Sequence, residues 1–407
     1  MGLQAELLQA GTSALLGNYR PAPIVLTRGA GRTVWDVEGR AYLDLSGGIA
    51  VTSVGHGHPR LAQAIAEQAA RLMHTSNLFW NDRAIELATE IVRRTGFDRV
   101  FFCNSGTEAN EAMLKLARRY HFERGDRERV ELVGALGSFH GRTYGSLSLT
   151  GQTRHRIGME PLLGGCHLVP FGDIEALRSV VGPRTAAVLL EPIQAEGGIV
   201  RPPPGYLRAV RRLCDERGAL LLLDEVQTGY GRTGCFLARE HEEVWPDACS
   251  LAKGIAGGFP LGAMCVTARV RDGLPYGSHA STFGGNPLAA AAGLATLRIF
   301  DDEGLVENAA RMGARLLDGL RSMERDGSLE AAIEARGLGL LAGMRLAPDV
   351  DPQGVVAAMR ERGVLVSLAG SDVIRITPAL NVTADEIDRG LETLAAVLRD
   401  PPRRAAS

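Results

Sequence analysis

The sequence predicts an α/β protein with a mostly parallel β-sheet in a large domain and a second, smaller α+β domain. Between residues 99 and 267, short apolar runs alternate with stretches whose apolar residues recur at helical spacing. Strands that are apolar throughout are typical of a parallel sheet covered by helices on both faces. The length of 407 residues is enough for two domains.

Six segments of the central region are candidate strands. They are RVFFCN (99–104), VELVGA (130–135), HLVPF (167–171), TAAVLLEP (185–192), ALLLLD (219–224) and GAMCVT (262–267). Helical spacing predicts one helix around residues 109–120 and another that begins near Tyr206 and stops at Gly218. Ligands of such sheets bind at the carboxyl ends of the strands, so the residues that follow these runs are candidate site residues.

The two ends of the chain have different patterns. Near the start, IVLT, TVWDVEGR and AYLDLS, separated by RGAG and EGR turns, predict a small antiparallel lead-in. After Pro287 come two helical stretches, then the strand candidates LLAGMRL, VLVS and DVIRIT, and a last helix that opens at Thr383 with a TADE capping box. We expect residues 1–50 to contribute to the small domain, residues 51–290 to form the large domain and residues 291–407 to form the small one.

The composition argues against several classes of protein. The net charge is −2 and basic residues are spread along the chain, so no affinity for nucleic acid or an anionic membrane is expected. There is no run of about 18 apolar residues and no basic-then-apolar leader, so neither a membrane span nor a secretory signal is predicted. Six cysteines without a CxxC pair indicate reduced thiols in a cytoplasmic protein, and no metal site is expected.

A buried carboxylate and a rare lysine form the first candidate site. The strand ALLLLD ends on Asp224, and a carboxylate there needs a positively charged or proton-bearing partner. Lys253, in SLAKGIAGGFPLGA, is one of only two lysines, the other being Lys115. A lysine shielded from water has a lowered pKa and attacks aldehydes. Pyridoxal phosphate needs this pair, because the amine holds its aldehyde and the carboxylate keeps its ring nitrogen protonated.

A phosphate site is expected to accompany this pair. NSGTEANEA (104–112) stands between a strand and a helix, where free backbone N–H groups and the hydroxyls of Ser105 and Thr107 can bind an anion. A plain capping box from Ser105 to Glu108 fits the same residues. Together with Asp224 and Lys253, the phosphate site is the favoured interpretation.

A dinucleotide site is the main alternative, because GYGRTG (229–234) matches G-x-G-x-x-G. In a nicotinamide dehydrogenase the glycines follow the strand directly. Here DEVQT intervenes, with two acidic residues where a pyrophosphate would be repelled. The following CFLAREHEEV makes a poor crossover helix with no clear strand after it. The dehydrogenase interpretation is therefore disfavoured.

The motifs NSGTEANE, FHGRT, EPIQAEGG, LLLDEVQTGYGRTG, SLAKGIAGGFPLGA and STFGGNPLA together resemble the class III (ornithine-type) aminotransferases. The resemblance extends from about residue 18 to residue 380. It implies the fold of the fold-type-I pyridoxal phosphate enzymes, with a seven-stranded sheet, and a homodimer with its active sites at the interface. Within the family, DLSGGIAVTSVGHGHP and SFHGRTYGSLSLTGQ are most similar to the members that act on acetylornithine.

The resemblance also implies a role for each site residue. Lys253 would carry the cofactor and move the proton between the substrate carbon and the cofactor's C4′, and Asp224 would pair with the pyridine nitrogen. The other implied cofactor contacts are Ser105, Gly106 and Thr107 at the phosphate, Phe139 and Val226 on the two ring faces, Gln227 at the phenolic oxygen, and Thr282 at the phosphate of the neighbouring subunit. The implied substrate contacts are Tyr19, Arg142, Glu196, Ser281 and Arg375.

Arg375 and Glu196 address a problem of two unlike substrates. Glutamate reacts beside its α-carboxylate, whereas N-acetylornithine reacts at a terminal amine with no carboxylate nearby. An uncovered Arg375 would favour the first and leave a buried charge unpaired with the second. In the family a glutamate gates this arginine, and Glu196 occupies the matching position, although Ala195 replaces the usual glycine beside it.

The expected function is transamination of N2-acetylornithine with 2-oxoglutarate, giving N-acetylglutamate 5-semialdehyde and glutamate in arginine biosynthesis. The same machinery would also serve succinylornithine, 4-aminobutyrate, a carrier-bound lysine precursor or ornithine. Ornithine is less favoured because the relatives that use it resemble this chain at Tyr19 but carry an aromatic residue where Ile49 stands. A non-catalytic binding protein is disfavoured because every catalytic position is occupied.

Overall fold

The computed structural model describes residues 2–404, which form three β-sheets and the helices packed around them. The strands are β1 (Leu26–Ala30), β2 (Thr33–Asp36), β3 (Ala41–Asp44), β4 (Arg99–Cys103), β5 (Glu131–Ala135), β6 (Cys166–Val169), β7 (Thr185–Leu190), β8 (Leu220–Asp224), β9 (Ala248–Leu251), β10 (Gly262–Val266), β11 (Ala332–Leu338), β12 (Leu341–Leu346), β13 (Val364–Leu365), β14 (Ser367–Ala369) and β15 (Val373–Ile376). The helices are α1 (Leu3–Ala14), α2 (Gly47–Ala50), α3 (Pro59–Arg71), α4 (Asp82–Thr95), α5 (Gly106–Glu123), α6 (Tyr144–Leu149), α7 (Ile174–Val180), α8 (Tyr206–Arg217), α9 (Pro287–Asp302), α10 (Leu305–Arg325), α11 (Pro352–Glu361) and α12 (Ala384–Arg399).

The largest sheet has seven strands in the order β4-β10-β9-β8-β7-β5-β6. The strands from β9 through β6 run parallel to their neighbours, whereas β10 is antiparallel to both β4 and β9. Every residue of β7 and β8 is buried, as expected for strands covered by helices on both faces. The predicted α/β fold with a mostly parallel, seven-stranded sheet is confirmed.

All six predicted strands of this region form, and each ends within two residues of its predicted bounds. The seventh strand, β9, is only four residues long and includes the polar Ser250, so its pattern did not stand out. The expectation that no strand follows CFLAREHEEV was therefore wrong. A short 3₁₀ turn, Ala238–Glu242, leads to β9 in place of a crossover helix.

The first and last parts of the chain form the two smaller sheets. The predicted antiparallel lead-in is confirmed as β1, β2 and β3, and β13 joins β3 in parallel. β1 continues through RGA, which was expected to turn. The other sheet has the order β11-β12-β15-β14 and includes β11, which the sequence analysis missed. α12 begins with the predicted capping box of Thr383 and Glu386. The three domain boundaries remain predictions.

The strand order determines which residues meet. Because β7, β8 and β9 are parallel neighbours, their carboxyl ends lie at one edge of the sheet. Glu191, Asp224 and Lys253 stand at or just after those ends. Arg375 lies on β15 of the sheet β11-β12-β15-β14. Its side chain reaches this edge of the large sheet, where it contacts Glu196. Within residues 2–404, no helix combines the length and the apolar character needed to cross a membrane.

Candidate active site

A cavity of about 440 Å³ opens at this edge of the large sheet. Its volume is typical of a small-molecule site. Nine of the predicted site residues line it, namely Ser105, Gly106, Thr107, Phe139, Arg142, Asp224, Val226, Gln227 and Lys253. Predicted site residues that are far apart along the chain therefore meet in one cavity.

Asp224 is buried at the base of this cavity and is held by several polar groups. Its Oδ2 accepts a hydrogen bond from Asn110 Nδ2 at 2.7 Å and lies 2.8 Å from His140 Nδ1. Its Oδ1 accepts the Val226 N–H at 3.0 Å and, more weakly, the Ser250 hydroxyl at 3.3 Å. The sequence analysis missed these partners, although Asn110 and His140 lie within the quoted motifs NSGTEANE and FHGRT.

The neighbouring carboxylate, Glu225, has a different environment. It accepts hydrogen bonds from the Thr228 hydroxyl at 2.5 Å and from the N–H groups of Ala238 and Arg239 at 3.0 and 2.8 Å. Burial raises its pKa. Neither Glu225 nor its three partners line the cavity, so Glu225 fixes a turn. Asp224, in contrast, lines the cavity.

Lys253 projects into the cavity from a strained backbone. It begins the 3₁₀ turn Lys253–Ala256 with φ of 47°, in the left-handed region that favours glycine. Its Nζ lies 3.9 Å from Glu196 Oε1. The pKa of the amine is lowered to about 8, mainly by burial and also by the nearby Arg375, while Glu196 and Asp224 oppose the shift. A substantial share of the amine is therefore neutral, and nucleophilic, near physiological pH.

Arg375, Glu196 and Gln227 form a connected polar cluster beside Lys253. The Arg375 side chain is 1% exposed, and its Nη1 lies 2.5 Å from Glu196 Oε1 and 3.2 Å from Gln227 Oε1. Gln227 Nε2 donates to Glu196 at 3.0 Å. Burial alone would raise the pKa of Glu196, but the charges of Arg375 and Lys253 outweigh it and lower the pKa. The carboxylate therefore stays ionised and covers the guanidinium.

The start of α5 provides the expected anion site. Ser105 caps the helix by accepting the Glu108 N–H at 3.3 Å, and its hydroxyl donates to Glu108 Oε2 at 2.8 Å. The N–H groups of Gly106 and Thr107 have no acceptor among residues 2–404. Glu108 accepts the Asn104 N–H rather than the Ser105 N–H, so Ser105 caps the helix but the predicted capping box is not closed. The capped start and its pair of free donors form an arrangement that suits an anion at a helix N-terminus.

Two glycines keep this anion site open. A Cβ on Gly106 would lie 2.8 Å from Val226 Cγ1, and one on Gly141 would lie 2.1 Å from Thr107 Oγ1. Both separations are well below van der Waals contact, so neither position accepts a side chain without rearrangement. Val226 and Phe139 line the cavity together with these two glycines.

The remaining predicted residues lie at the rim of the cavity or do not line it. Arg142 is exposed at the cavity rim, with its guanidinium carbon 5.5 Å from the Phe139 ring centroid. Ser281 accepts from Asn104 Nδ2 at 3.3 Å, next to Ser105, but neither it nor the exposed Thr282 lines the cavity. Tyr19 is 78% exposed and does not line it either. Their roles remain predictions.

Comparisons with known proteins agree with this geometry. The family model described as aminotransferase class-III matches residues 16–398. The chain belongs to the class III aminotransferases. An acetylornithine aminotransferase of Myxococcus xanthus is 47% identical over 384 residues, which cover 94% of this chain and 95% of the relative. Another from Methanothermobacter thermautotrophicus is 43% identical and covers 97% of this chain and 99% of the relative.

Solved structures show the same fold. The ornithine aminotransferase of Toxoplasma gondii superposes with a TM-score of 0.94 at 34% identity, covering 98% of this chain and 95% of that one. The acetylornithine aminotransferase of Elizabethkingia anophelis gives a TM-score of 0.87 at 31% identity, covering 98% and 99%. This is the fold of the fold-type-I pyridoxal phosphate enzymes.

Class III aminotransferases use pyridoxal phosphate, and the residues of this cavity fit it. The free N–H groups of Gly106 and Thr107 suit its phosphate, the buried carboxylate of Asp224 suits its ring nitrogen, and the amine of Lys253 suits its aldehyde. These three chemistries lie on the wall of one cavity of suitable size.

The lowered pKa of Lys253 gives a test of its reactivity. Cofactor-free protein should capture pyridoxal phosphate at a rate that rises with pH and reaches half its maximum near pH 8, because only the neutral amine attacks the aldehyde. The visible absorbance after rapid mixing measures the rate. Borohydride reduction and peptide mapping should then find the cofactor on Lys253.

The variant Glu196→Gln is the informative control for this measurement. It removes a negative charge that raises the pKa of Lys253, so the midpoint should move to lower pH. A midpoint near pH 10, where an ordinary lysine titrates, or a label found on Lys115 would contradict the assignment.

Proposed function

We propose that this protein transfers the terminal amino group of N2-acetylornithine to 2-oxoglutarate, giving N-acetylglutamate 5-semialdehyde and glutamate in arginine biosynthesis. The observation that carries the proposal is the buried Arg375–Glu196 pair beside Lys253. Such a pair suits a site that binds a carboxylate next to the reacting carbon in one half-reaction and none in the other. Curated relatives with 43% to 47% identity over most of the chain carry the name acetylornithine aminotransferase, which supports the same substrate.

The proposed cofactor contacts use the groups that line the cavity. Lys253 would hold the aldehyde, Asp224 the ring nitrogen, and Ser105, Gly106 and Thr107 the phosphate. Phe139 and Val226 would contact the two ring faces, Gln227 the phenolic oxygen, and Thr282 the phosphate of the neighbouring subunit. When bound, the cofactor supplies an electron sink for the bond broken at the substrate carbon. Asn110 and His140 would keep Asp224 oriented for this contact.

The proposed substrate contacts divide by half-reaction. With glutamate or 2-oxoglutarate, Glu196 would swing away and Arg375 would bind the carboxylate next to the reacting carbon, since its planar fork binds a carboxylate bidentately. With the acetylated donor, Glu196 would cover Arg375 so that no buried charge is left unpaired. Arg142, at the rim, would bind the donor's distant carboxylate, with Tyr19 and Ser281 nearby. Lys253 would take up and return the proton at the reacting carbon.

We also propose that the protein is a cytoplasmic homodimer with its active sites at the interface. Trp80 is 91% exposed, and the neighbouring Leu78 and Phe79 and the loop residue Phe283 are exposed as well. Exposed apolar side chains clustered in this way are typical of protein interfaces. Thr282 stands next to Phe283 and is exposed, as expected of a residue that serves a partner's site. All six cysteines are free, which suits a reducing compartment.

The interface can be tested through Trp80. Sedimentation should give twice the chain mass of 43.4 kDa, and Trp80→Glu should shift the protein toward monomer and lower its turnover, because a charge would be buried on association. Trp245→Glu, at an exposed tryptophan that stacks on Arg239 instead, is the matched control and should stay dimeric. A monomeric wild-type protein with full activity would refute the dimer.

The donor preference tests the function itself. With 2-oxoglutarate as acceptor, acetylornithine should give the largest kcat/KM in a panel with succinylornithine, ornithine, 4-aminobutyrate and a carrier-bound lysine precursor. Ornithine is a second candidate, because the ornithine aminotransferase of T. gondii is 34% identical and superposes with a TM-score of 0.94, although Ile49 stands where the relatives that use ornithine carry an aromatic residue. A higher kcat/KM for any other donor would replace acetylornithine with that substrate.

The gate should respond unequally to removal of its carboxylate. In Glu196→Ala, Arg375 loses its partner, so the glutamate half-reaction should be maintained or improved while the acetylornithine half-reaction slows. Breaking a buried charge pair costs up to roughly 3–5 kcal/mol, so the preference could shift by a few powers of ten. Single-turnover measurement of each half-reaction gives the shift.

A second arginine–glutamate pair provides the control. Glu334 Oε2 lies 2.6 Å from Arg336 Nη2, and both residues are on β11. Glu334 is partly exposed and does not line the cavity. Glu334→Ala should leave both half-reactions unchanged. Equal slowing of both half-reactions in Glu196→Ala would reject Glu196 as the gate.

A further inference from the structure

Glu191 is a buried carboxylate at the end of β7 that the sequence analysis did not single out. It lines the cavity, yet both of its oxygens are used by backbone amides. Oε1 accepts the N–H of Phe139 at 2.9 Å, and Oε2 accepts the N–H of Ala195 at 3.1 Å. One of these residues is the proposed ring contact, and the other directly precedes the proposed gate, Glu196.

The choice of a carboxylate at this position is costly for the fold. Burial raises the pKa of Glu191 to about 7, although the amides of Phe139 and Ala195 and the neighbouring His140 oppose the shift. An apolar side chain would avoid this cost but would leave two buried N–H groups unpaired. A glutamine has one acceptor oxygen and cannot satisfy both. Only a carboxylate joins these two segments through two acceptor atoms.

The backbone around Glu196 is fixed on its other sides as well. The Glu196 carbonyl accepts the Gly370 N–H at 2.8 Å, and Gln194 and Val200 exchange two backbone hydrogen bonds. The methyl group of Ala195 is buried in a small apolar cluster. That cluster contains Ile193, Ala195, Ile199, Leu341, Ala369 and Val373. The bond from Glu191 ties the backbone of this loop to the cavity wall, beside the side-chain bonds from Gln194 to the Leu136 carbonyl and from Gln227 to Glu196.

We infer that Glu191 is a positioning residue that clamps the backbone of Phe139 and of the loop carrying Glu196, and so holds the ring contact and the gate in fixed relation. The inference rests on the proposed roles of Phe139 and Glu196. Glu225 makes the same kind of clamp at the end of β8, on Ala238 and Arg239, away from the cavity. Glu225 is therefore a control within the same chain for the loss of a buried carboxylate away from the cavity.

The test compares Glu191→Gln with Glu225→Gln by hydrogen–deuterium exchange of the cofactor-free protein. Glu191→Gln should speed exchange by about 10- to 100-fold in peptides that contain the amides of Phe139 and Ala195. Glu225→Gln should speed exchange only around Ala238 and Arg239. Unchanged exchange at both Phe139 and Ala195 would overturn the clamp, whatever reaction the protein catalyses.

A second measurement separates positioning from mere stability. In the loaded enzyme, Glu191→Gln should slow the amine-donor half-reaction about 10-fold more than the glutamate half-reaction, because only the former needs Glu196 seated on Arg375. It should also weaken pyridoxal phosphate binding, measured by equilibrium titration. Glu225→Gln should lower the melting temperature without splitting the half-reactions. Equal slowing by Glu191→Gln would overturn the positioning role.

Should Glu191→Gln fail to fold, Glu191→Asp takes its place. It keeps both oxygens but shortens the side chain by one methylene, so it cannot reach both amides at their present distances. The same peptides should exchange faster and the same half-reaction should be slowed more, but both changes should be smaller than in Glu191→Gln. Exchange rates and half-reactions that match the wild type would overturn the inference.

Discussion

The constraint on which this site depends is the burial of a carboxylate at the end of an apolar strand. Asp224 terminates β8, whose residues are all buried, and its own sheet offers only the weak bond from Ser250, so it needs further partners. Asn110 of α5 and His140 supply them. Because the start of α5 also presents the free N–H groups of Gly106 and Thr107, one helix both orients the carboxylate and provides the anion site. In the proposed binding mode, α5 would thus position both ends of the cofactor.

Burial alone does not determine the charge states of the cavity. Lys253, Glu191 and Glu196 are each removed from water, yet burial lowers the pKa of the lysine to about 8 and raises that of Glu191 to about 7, while the pKa of Glu196 falls. The difference lies in the partners. Glu196 faces two cations, Arg375 and Lys253, whereas Glu191 accepts two backbone N–H groups and lies near both His140, which lowers its pKa, and the Asp224 carboxylate, which raises it. In the proposed roles, the same residue type would serve as a charged gate at position 196 and as a backbone clamp at position 191.

The sequence predicted the residues that break a pattern and missed those that fit one. Asp224 stood out because a charge follows four leucines, and Lys253 because lysine is rare in this chain. Glu191 breaks a pattern in the same way, since it follows the apolar run TAAVLL, and it is the exception that the sequence analysis overlooked. Asn110 and His140 are polar residues inside polar motifs, and nothing in the sequence distinguishes a buried partner of a carboxylate from a solvated side chain. β9 was missed for the same reason, since ACSL lacks a continuous apolar run. The contacts expected from a second subunit cannot be formed within one chain.

A switch between two unlike substrates places opposite demands on the protein. In the proposed switch the carboxylate of Glu196 would move, while Lys253, the cofactor contacts and Arg375 would keep their positions in both half-reactions. The backbone of Glu196 is hydrogen-bonded to Gly370, and its neighbour Ala195 is bonded to Glu191 and packed in an apolar cluster. Under the proposed function, these contacts would confine motion to the rotatable bonds of one side chain, which rearrange far faster than a loop. Such a fixed backbone would let a single cavity alternate between substrates without rearranging its loops in each cycle.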